Sequence, residues 1–389
     1  MPQKIVLFGA GATGRGHVGL LAWQAGFQIL FVDKDPDLVE ALRRAGRYKV
    51  LVYGRDCQEI TVSGYGVHHY LERETIAREV ADAVLVLTAV FDQNLPDVAQ
   101  TLALAVAACR QAGRSAPLNC VACENMMDSS STLGRCVKAL LSGEDLAYAE
   151  RYFGFPDCMI SRVVPRPEPD PLVVVAEDYN EWTARAEAFK GTKPAALTAL
   201  ELVSNQTARL ERKLMIHNGG HAVCGYFAFH RGHRYVHQAV ADPVVAEHVL
   251  GALDELGEVV RRRHGFSAES IEAYKQDLVL RGAVAALRDQ VLRVVRDPIR
   301  KLSARERLVA PAMLAGEYGL PRKWIVQGIV AALKYRHQDD PPSIELARRI
   351  ADEGLESVLE SVCSIRKGEP LAREIRKAWD QWPYWPANA

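Results

Sequence analysis

The chain has 389 residues, of which 49% are hydrophobic and 25% are charged. These values are typical of a soluble globular protein, and the length predicts two domains rather than one core. Basic and acidic residues number 48 each, so the net charge gives no bulk attraction to nucleic acid or to an anionic membrane.

The sequence predicts neither a membrane span nor a signal peptide, and its cysteines show no metal-site pattern. No apolar run approaches the roughly 20 residues that span a bilayer, and the N-terminus lacks the pattern of a signal peptide. We therefore expect a cytoplasmic protein with neither a membrane nor a nucleic-acid partner. Its eight cysteines are then expected to stay reduced. Cys120 and Cys123 lie in an apolar segment without a second pair at zinc-site spacing, which favours packing over metal binding.

A glycine-rich turn follows the first predicted strand, residues 4–8. Gly9, Gly11 and Gly14 have the G-x-G-x-x-G spacing and open a helical stretch, as in dinucleotide-binding turns. Gly9 permits the tight turn, Gly11 lets the backbone approach a pyrophosphate, and Gly14 lets the helix pack on the strand. The helix N-terminus favours anionic phosphates. The pattern predicts dinucleotide binding, and we include Arg15 among the cofactor residues.

An acidic residue at the end of the second predicted strand, residues 28–32, identifies the nucleotide. Asp33 is placed to hydrogen-bond an adenosine ribose hydroxyl and to repel a 2′-phosphate. The sequence therefore predicts NAD rather than NADP, although the neighbouring Lys34 weakens the distinction.

Further strand patterns complete the N-terminal half. Six apolar runs have strand character: residues 48–53, 59–62, 83–87, 118–122, 158–164 and 172–176. An alanine-rich helix is predicted over residues 97–112. The prolines of residues 165–171 predict a loop that cannot be helical.

Residues that follow these strands are candidates for the cofactor and substrate sites, because loops at the carboxyl ends of parallel strands line the cofactor crevice. Thr88 is expected to border the nicotinamide side. Glu124 and Asn125 are placed to reach the substrate. Capping of the loop explains this last pair equally well, because asparagine is common in turns.

After about residue 190 helical periodicity replaces the strand patterns. Long amphipathic stretches cover residues 196–216, 242–263, 304–316, 323–335 and 342–363. The predicted architecture is a doubly wound α/β dinucleotide-binding domain, residues 1–192, followed by an all-helical substrate and catalytic domain, residues 193–389.

Residues 210–221, which begin near the end of the first helical stretch, contain a group of polar residues. Residues four apart share a face of an α-helix, so Lys213, His217 and His221 are predicted to lie together, with Asn218 on the flank. A lysine base, an amide and an imidazole are the parts of a proton-abstraction site. A solvated lysine beside two core or surface histidines explains the spacing too. Metal chelation by the two histidines is disfavoured, because no suitably spaced carboxylate completes the ligand set.

A cationic segment lies further along the helical half. Residues 296–307 contain five cations, among them Arg300 and Lys301. Their density indicates a clamp for a phosphate or carboxylate. The alternative is a mixed-charge helix start.

These motifs, in this order, resemble those of the polyol-specific long-chain dehydrogenases. The run from Lys213 to His221 is similar to the family signature K-x-x-x-x-N-x-x-H. Further similarity covers nearly the whole chain, including residues 8–16, 122–126, 162–165 and 298–303. The resemblance implies hydride transfer without a metal between NAD and a polyol phosphate.

The resemblance also implies roles for individual residues. Lys213 is the general base, Asn125 and Asn218 stabilise the oxyanion, and His221 orients the substrate or supports the lysine. The segment with Arg300 and Lys301 lies at the substrate mouth. Its assignment to the substrate phosphate is inferred from charge.

The chain departs from the family pattern at three places. Ser161 stands where the family usually has aspartate, residues 281–285 replace an R-F-x-N-P motif, and His217 stands where an apolar residue is usual. These departures bear on the substrate rather than on the chemistry. We expect interconversion of mannitol 1-phosphate and fructose 6-phosphate by a monomer or small homo-oligomer. The alternative is a dehydrogenase of a free alditol or sugar acid such as mannitol or altronate. A non-catalytic NAD sensor and a zinc alcohol dehydrogenase are less favoured.

Overall fold

The computed structural model describes residues 2–54, 56–165 and 170–383. It divides into two compact units, Met1–Leu210 and Glu211–Ala389. This division lies downstream of the predicted domain boundary between residues 192 and 193. Part of the predicted proline-rich loop, residues 166–169, lies outside the described residues.

The first unit contains all twelve strands of the described chain. They are β1 (Lys4–Phe8), β2 (Gln28–Asp33), β3 (Arg47–Tyr53), β4 (Cys57–Ser63), β5 (Gly66–His69), β6 (Leu85–Thr88), β7 (Leu118–Ala122), β8 (Phe153–Gly154), β9 (Cys158–Ser161), β10 (Val173–Glu177), β11 (Glu181–Arg185) and β12 (Glu201–Val203).

Six of these strands form a parallel sheet in the order β5-β2-β1-β6-β7-β8. β1 and β7 are apolar almost throughout and buried, as expected for strands covered on both faces. Separate hydrophobic clusters form around alternate residues of β1, one with Ile5 and Leu7, the other with Val6 and Phe8. The predicted doubly wound sheet is confirmed.

Helices connect the parallel strands, and two small sheets accompany them. The helices are α1 (Gly19–Gln24), α2 (Pro36–Ala45), α3 (Arg73–Ala81), α4 (Leu95–Gln111), α5 (Ser129–Ala139) and α6 (Gly143–Tyr152), with a π-helical turn, Gly14–Val18, before α1. The small sheets have the strand orders β10-β3-β4 and β12-β11-β9.

The second unit is helical. After α7 (Gln206–Arg212), in which the division falls, come a π-helical turn, Lys213–Asn218, and the helices α8 (Gly219–His230), α9 (Val236–Val240), α10 (Pro243–His264), α11 (Ala268–Gly282), α12 (Val291–Val295), α13 (Pro298–Lys301), α14 (Val309–Glu317), α15 (Lys323–Leu333), α16 (Pro341–Glu353), α17 (Leu355–Ser361) and α18 (Pro370–Asp380). Among the described residues, no helix combines the length and apolar character needed to cross a bilayer.

The core of the second unit is built on α8, α10 and α15, which pack against one another. Close approach depends on glycine. A β-carbon at Gly220 would lie 2.5 Å from Leu253, and one at Gly328 would lie 2.7 Å from Val223. α10 is stopped at both ends, because Asp242 caps its first turn and Gly265 adopts a left-handed conformation with φ of 72° after its last residue. The close contacts at Gly220 and Gly328 therefore hold α8 against α10 and α15.

The predicted all-helical half is confirmed, with three local differences. The stretch predicted over residues 304–316 begins only at Val309. Residues 196–205 are not helical, because Glu201–Val203 pairs as β12 with β11, and backbone pairing outweighs local periodicity. The stretch predicted over residues 342–363 is two helices, because Gly354 interrupts it with a φ of 85°.

Substitution of Gly14 tests the close packing of the glycine-rich turn. A methyl group there would lie 1.9 Å from the Gly9 carbonyl oxygen, whereas Gly11 has nothing within 4 Å. We expect Gly14→Ala to lower the free energy of unfolding by roughly 1–3 kcal/mol, and Gly11→Ala to leave it nearly unchanged. Urea unfolding followed by circular dichroism measures both. Equal unfolding midpoints for the two variants would contradict this packing.

Candidate functional site

The glycine-rich turn leaves open space beside one of its three glycines. Gly9 has a φ of 97°, and a β-carbon there would meet the Ala89 carbonyl oxygen at 2.3 Å. Gly14 is equally enclosed, by Gly9 itself. Gly11, in contrast, faces unfilled space. The turn is therefore tightly packed at Gly9 and Gly14 and leaves its backbone open at Gly11, as a phosphate-binding turn must.

Asp33 lies beside this turn at the end of β2. Its carboxylate accepts a hydrogen bond of 2.6 Å from the Ala10 backbone N–H and one of 3.0 Å from the Asp35 N–H. The next residue, Lys34, donates a hydrogen bond of 2.9 Å to the Asn94 side chain. The carboxylate is thus fixed next to the glycine-rich turn, at the position that the sequence predicted for a ribose contact.

Arg15 differs from its predicted use. Its side chain is buried, with 1% exposure, and its guanidinium donates hydrogen bonds of 2.6 Å to the Ala10 and Pro171 carbonyl oxygens. The cation also lies 5.4 Å from the centre of the Tyr48 ring. This arrangement supports the turn from within and does not fit a direct contact with a nucleotide.

Thr88 and Glu124 form a buried contact between the ends of β6 and β7. The Thr88 hydroxyl donates to the Glu124 carboxylate at 2.7 Å, and the Val90 N–H donates to the same carboxylate at 3.0 Å. Burial raises the pKa of Glu124, and these hydrogen bonds offset the effect only in part. Glu124 therefore holds the loop after β6, a role that differs from the predicted substrate contact. Asn125, the next residue, is exposed.

The lysine segment of the second unit departs from α-helical geometry. Lys213–Asn218 is a π-helical turn, in which backbone hydrogen bonds join residues five apart. Such a turn contains more residues than an α-helical one, so Asn218 comes closer to the face of Lys213 than α-helical spacing predicts. The rings of His217 and His221 lie 6.0 Å apart, and Lys213 is among the cations whose charge acts on His217.

His221 is oriented by a buried carboxylate. Its Nε2 lies 3.3 Å from Asp289 Oδ2, and Arg293 donates hydrogen bonds of 2.6 and 2.7 Å to the two oxygens of Asp289. Burial alone would raise the pKa of Asp289, but its hydrogen bonds to His221 and Arg293 hold that pKa well below its usual value. Asp289 is therefore ionised at neutral pH, and its carboxylate fixes the position of His221 Nε2.

His217 is a neutral imidazole among cations. Burial and then the charges of Arg281, His221, Lys213 and Arg293 lower its pKa well below the usual value. Its Nδ1 is buried and has no hydrogen-bond partner among the described residues. The structure therefore brings His217 and His221 together with Lys213, and adds two arginines to the group.

Arg300 and Lys301 lie in another group of charges. Arg300 is half-exposed and pairs with Asp297 at 3.1 Å and with Glu306 at 3.3 Å. Lys301 is buried and donates to the Arg296 carbonyl oxygen. Burial, followed by the charges of Arg307 and Arg300, lowers the pKa of Lys301 to about 7. Lys301 is therefore buried within the unit, and of these two residues Arg300 is the one accessible for the predicted phosphate contact.

Sequence reasoning missed several residues of the second unit. Asp289, Arg293 and Arg281 surround the histidines. The sequence signals for them were the four-residue spacing of Asp289 and Arg293 and the position of Arg281 at the start of the segment that departs from the family motif. At another departure from the family pattern, the Ser161 hydroxyl is buried and has no hydrogen-bond partner in the described part of the chain.

The arrangement of the histidine, cysteine and acidic side chains of the described residues also bears on metal binding and thiol chemistry. Within the described ranges, no group of three or more histidine, cysteine or acidic side chains is arranged to hold a metal ion. Cys123 is buried with its sulfur 3.8 Å from that of Cys158, and burial raises the pKa of the Cys123 thiol. The Cys123 thiol acts as a packing group, because a buried thiol with a raised pKa is a poor nucleophile.

Sequence models of a known family match both halves of the chain. The mannitol dehydrogenase Rossmann domain matches residues 3–197, and the mannitol dehydrogenase C-terminal domain matches residues 207–382. The chain belongs to the mannitol dehydrogenase family. The resemblance to polyol dehydrogenases seen in the motifs is thereby confirmed.

Solved structures share the fold of this family member at low sequence identity. Mannitol 2-dehydrogenase of Pseudomonas fluorescens, in a ternary complex with NAD and D-mannitol, is 17% identical with a TM-score of 0.78; the match covers 98% of this chain and 92% of that one. A substrate-free D-sorbitol dehydrogenase is 16% identical with a TM-score of 0.80, over 98% and 93% of the two chains.

The buried Lys301 makes stability depend on pH. Its folded pKa of about 7 lies below the unfolded value of roughly 10.4, so the unfolded state binds more protons between these values and stability rises with pH there. We expect the free energy of unfolding of the wild type, relative to Lys301→Met, to increase by about 2–3 kcal/mol from pH 7 to 9. Urea titrations at both pH values measure this difference.

The control is Lys367→Met, which removes an exposed lysine. Its stability relative to the wild type should not change over the same pH range. If Lys301→Met and Lys367→Met behave alike, Lys301 is protonated in the folded protein as in the unfolded chain.

Proposed function

We propose that the chain is an NAD-dependent oxidoreductase that interconverts mannitol 1-phosphate and fructose 6-phosphate without a metal. Its membership of the mannitol dehydrogenase family supports polyol chemistry. The observation that most directly supports the site assignment is the π-helical turn Lys213–Asn218, which brings Asn218 closer to the face of Lys213 than α-helical spacing would. The fixed orientation of His221 by Asp289 adds to this support.

The first unit has the features that a dinucleotide requires. The space beside Gly11 leaves room for a pyrophosphate, and Asp33 is anchored where a ribose hydroxyl would be bound. When bound, NAD would supply the group that accepts or donates hydride. Thr88 supports the loop after β6 through its hydrogen bond to Glu124. Arg15 supports the glycine-rich turn from beneath through its hydrogen bond to Ala10.

The side chains of the second unit provide the proton chemistry. Lys213 takes the proton of the substrate hydroxyl during oxidation and returns it during reduction. Asn218 and Asn125 donate amide hydrogen bonds to the substrate oxygen as negative charge develops on it. His221, held through its Nε2 by Asp289, presents the rest of its ring to the substrate or to Lys213.

Recognition of the substrate phosphate is assigned to Arg300. Its guanidinium is half-exposed, and arginine suits bidentate binding of a phosphate. Lys301 contributes positive charge from within the unit rather than a direct contact, because its amine is buried and hydrogen-bonded to the backbone.

A dehydrogenase of a free alditol or sugar acid is the second candidate. Arg300 already pairs with the carboxylates of Asp297 and Glu306, so its charge is partly neutralised before any phosphate binds. The two structural relatives described above are also named for mannitol and sorbitol, which are not phosphorylated.

Replacement of Lys213 tests its assignment as the base. We expect Lys213→Ala to lower kcat for polyol oxidation by about 10²–10⁴-fold, because general-base catalysis contributes that much. Binding of NADH, measured by fluorescence titration, should stay at the wild-type value. Lys323→Ala, which removes a lysine from the start of α15, is the control and should retain full activity. A Lys213→Ala variant with near-normal kcat would exclude Lys213 as the base.

A substrate panel separates the two candidate functions. We expect NADH oxidation with fructose 6-phosphate to exceed that with fructose, and inorganic phosphate to inhibit it competitively. Arg300→Gln should raise the KM for fructose 6-phosphate about tenfold or more, which corresponds to the loss of one charge-assisted contact. Preference for fructose or for a sugar acid, with no effect of Arg300→Gln, would favour the second candidate.

A further inference from the structure

An exposed aromatic residue in the first unit has a strained backbone. Phe91 follows β6 and has a φ of 73° and a ψ of 145°. Glycine adopts this region readily, whereas a side chain there is strained. The Phe91 side chain is nevertheless 73% exposed, so its burial in the unit does not compensate for the strain. A large apolar side chain that is both strained and exposed suggests a role in binding.

The loop that contains Phe91 is fixed by hydrogen bonds on both sides. Before it, the Val90 N–H donates to the Glu124 carboxylate at 3.0 Å. After it, the Asn94 side chain donates to the Val90 carbonyl oxygen at 2.6 Å, and the Asn94 N–H donates to the Phe91 carbonyl oxygen at 3.0 Å. These contacts hold the backbone in the strained conformation and leave the ring projecting from a rigid loop.

The same contacts locate the ring within the predicted dinucleotide site. Lys34 donates a hydrogen bond to Asn94 at 2.9 Å, so the loop after β6 is tied to the loop that follows Asp33. Ala89, two residues before Phe91, lies against Gly9 of the glycine-rich turn. The hydrogen bond to Lys34 thus ties the Phe91 end of this loop to the side of the site where Asp33 is expected to bind the adenosine ribose, whereas Thr88, at the end of β6, is the residue expected to border the nicotinamide.

We propose that Phe91 packs its ring against the adenine of bound NAD. The inference rests on the proposed use of NAD by this chain. A planar base has an apolar face that stacks on an aromatic ring, and such a contact would cover the exposed face of Phe91. Thr88, Glu124 and Asn94 then have a shared purpose, because they keep the loop in the conformation that presents the ring.

Phe91→Gly tests the proposal, because it separates strain from binding. Removal of the strained side chain should raise the thermal unfolding midpoint, since glycine tolerates positive φ. The same change should raise the Kd for NADH and the Kd for ADP-ribose by a similar factor of about ten, because both ligands contain adenine. Isothermal titration calorimetry measures both values without turnover. Phe91→Tyr, which keeps an aromatic ring, should bind both ligands as the wild type does.

Ser364→Gly is the matched control. Ser364 also has a positive φ, of 58°, and belongs to the second unit, so its replacement should leave both Kd values unchanged. Wild-type affinity of Phe91→Gly for both ligands would overturn the proposal. A loss of NADH affinity with unchanged ADP-ribose affinity would also overturn it, because the ring would then act away from adenine. If the wild type binds neither ligand, the proposed use of NAD fails as well, whatever the behaviour of the variants.

Discussion

One extra residue in a helical turn determines how the polar side chains of the second unit are arranged. The turn Lys213–Asn218 has π-helical hydrogen bonding, which is rare and often found at functional sites. The helix that follows, α8, cannot rotate to compensate for the extra residue, because its first two glycines are closely packed. Gly219 would place a β-carbon 2.8 Å from the Arg307 carbonyl oxygen, and Gly220 would place one 2.5 Å from Leu253. Close packing thus fixes α8, and the π-turn then sets the positions of Lys213 and Asn218 relative to it.

Each unit contains a buried carboxylate that holds part of the site, but the pKa values of the two carboxylates are shifted in opposite directions. Asp289 is hydrogen-bonded to His221 and Arg293, and its pKa is held well below the usual value. Glu124 receives hydrogen bonds from a hydroxyl and a backbone N–H, and burial raises its pKa. Cationic donors offset the cost of burying a charge, whereas neutral donors offset it less. Asp289 therefore keeps its charge near neutrality, and Glu124, which holds the loop after β6, is the more readily protonated of the two carboxylates.

Local patterns in the sequence predicted most of the fold and part of the site. Buried strands and amphipathic helices leave a periodic signal, and the glycine-rich turn has a fixed spacing, so β1, Gly9 and Gly14 could be assigned without a structure. The π-turn has no such signal, because the same residues also satisfy α-helical spacing. The pairing of His221 with Asp289 and the burial of Lys301 depend on residues distant in sequence. For the same reason Arg15 and Glu124 were assigned to ligands, although they support the loops beside them.

Several residues with a strained backbone lie beside residues assigned to the site. Among the described residues, four other than glycine have positive φ: Phe91, Arg288, Asp297 and Ser364. Arg288 immediately precedes Asp289. Asp297 begins the turn that contains Arg300, and its backbone N–H is held by the Asp340 carboxylate at 3.1 Å. Strained conformations persist only where surrounding contacts over-determine them. Beside Phe91 and at Asp297 these contacts include a buried carboxylate, which is Glu124 in the first case and Asp340 in the second.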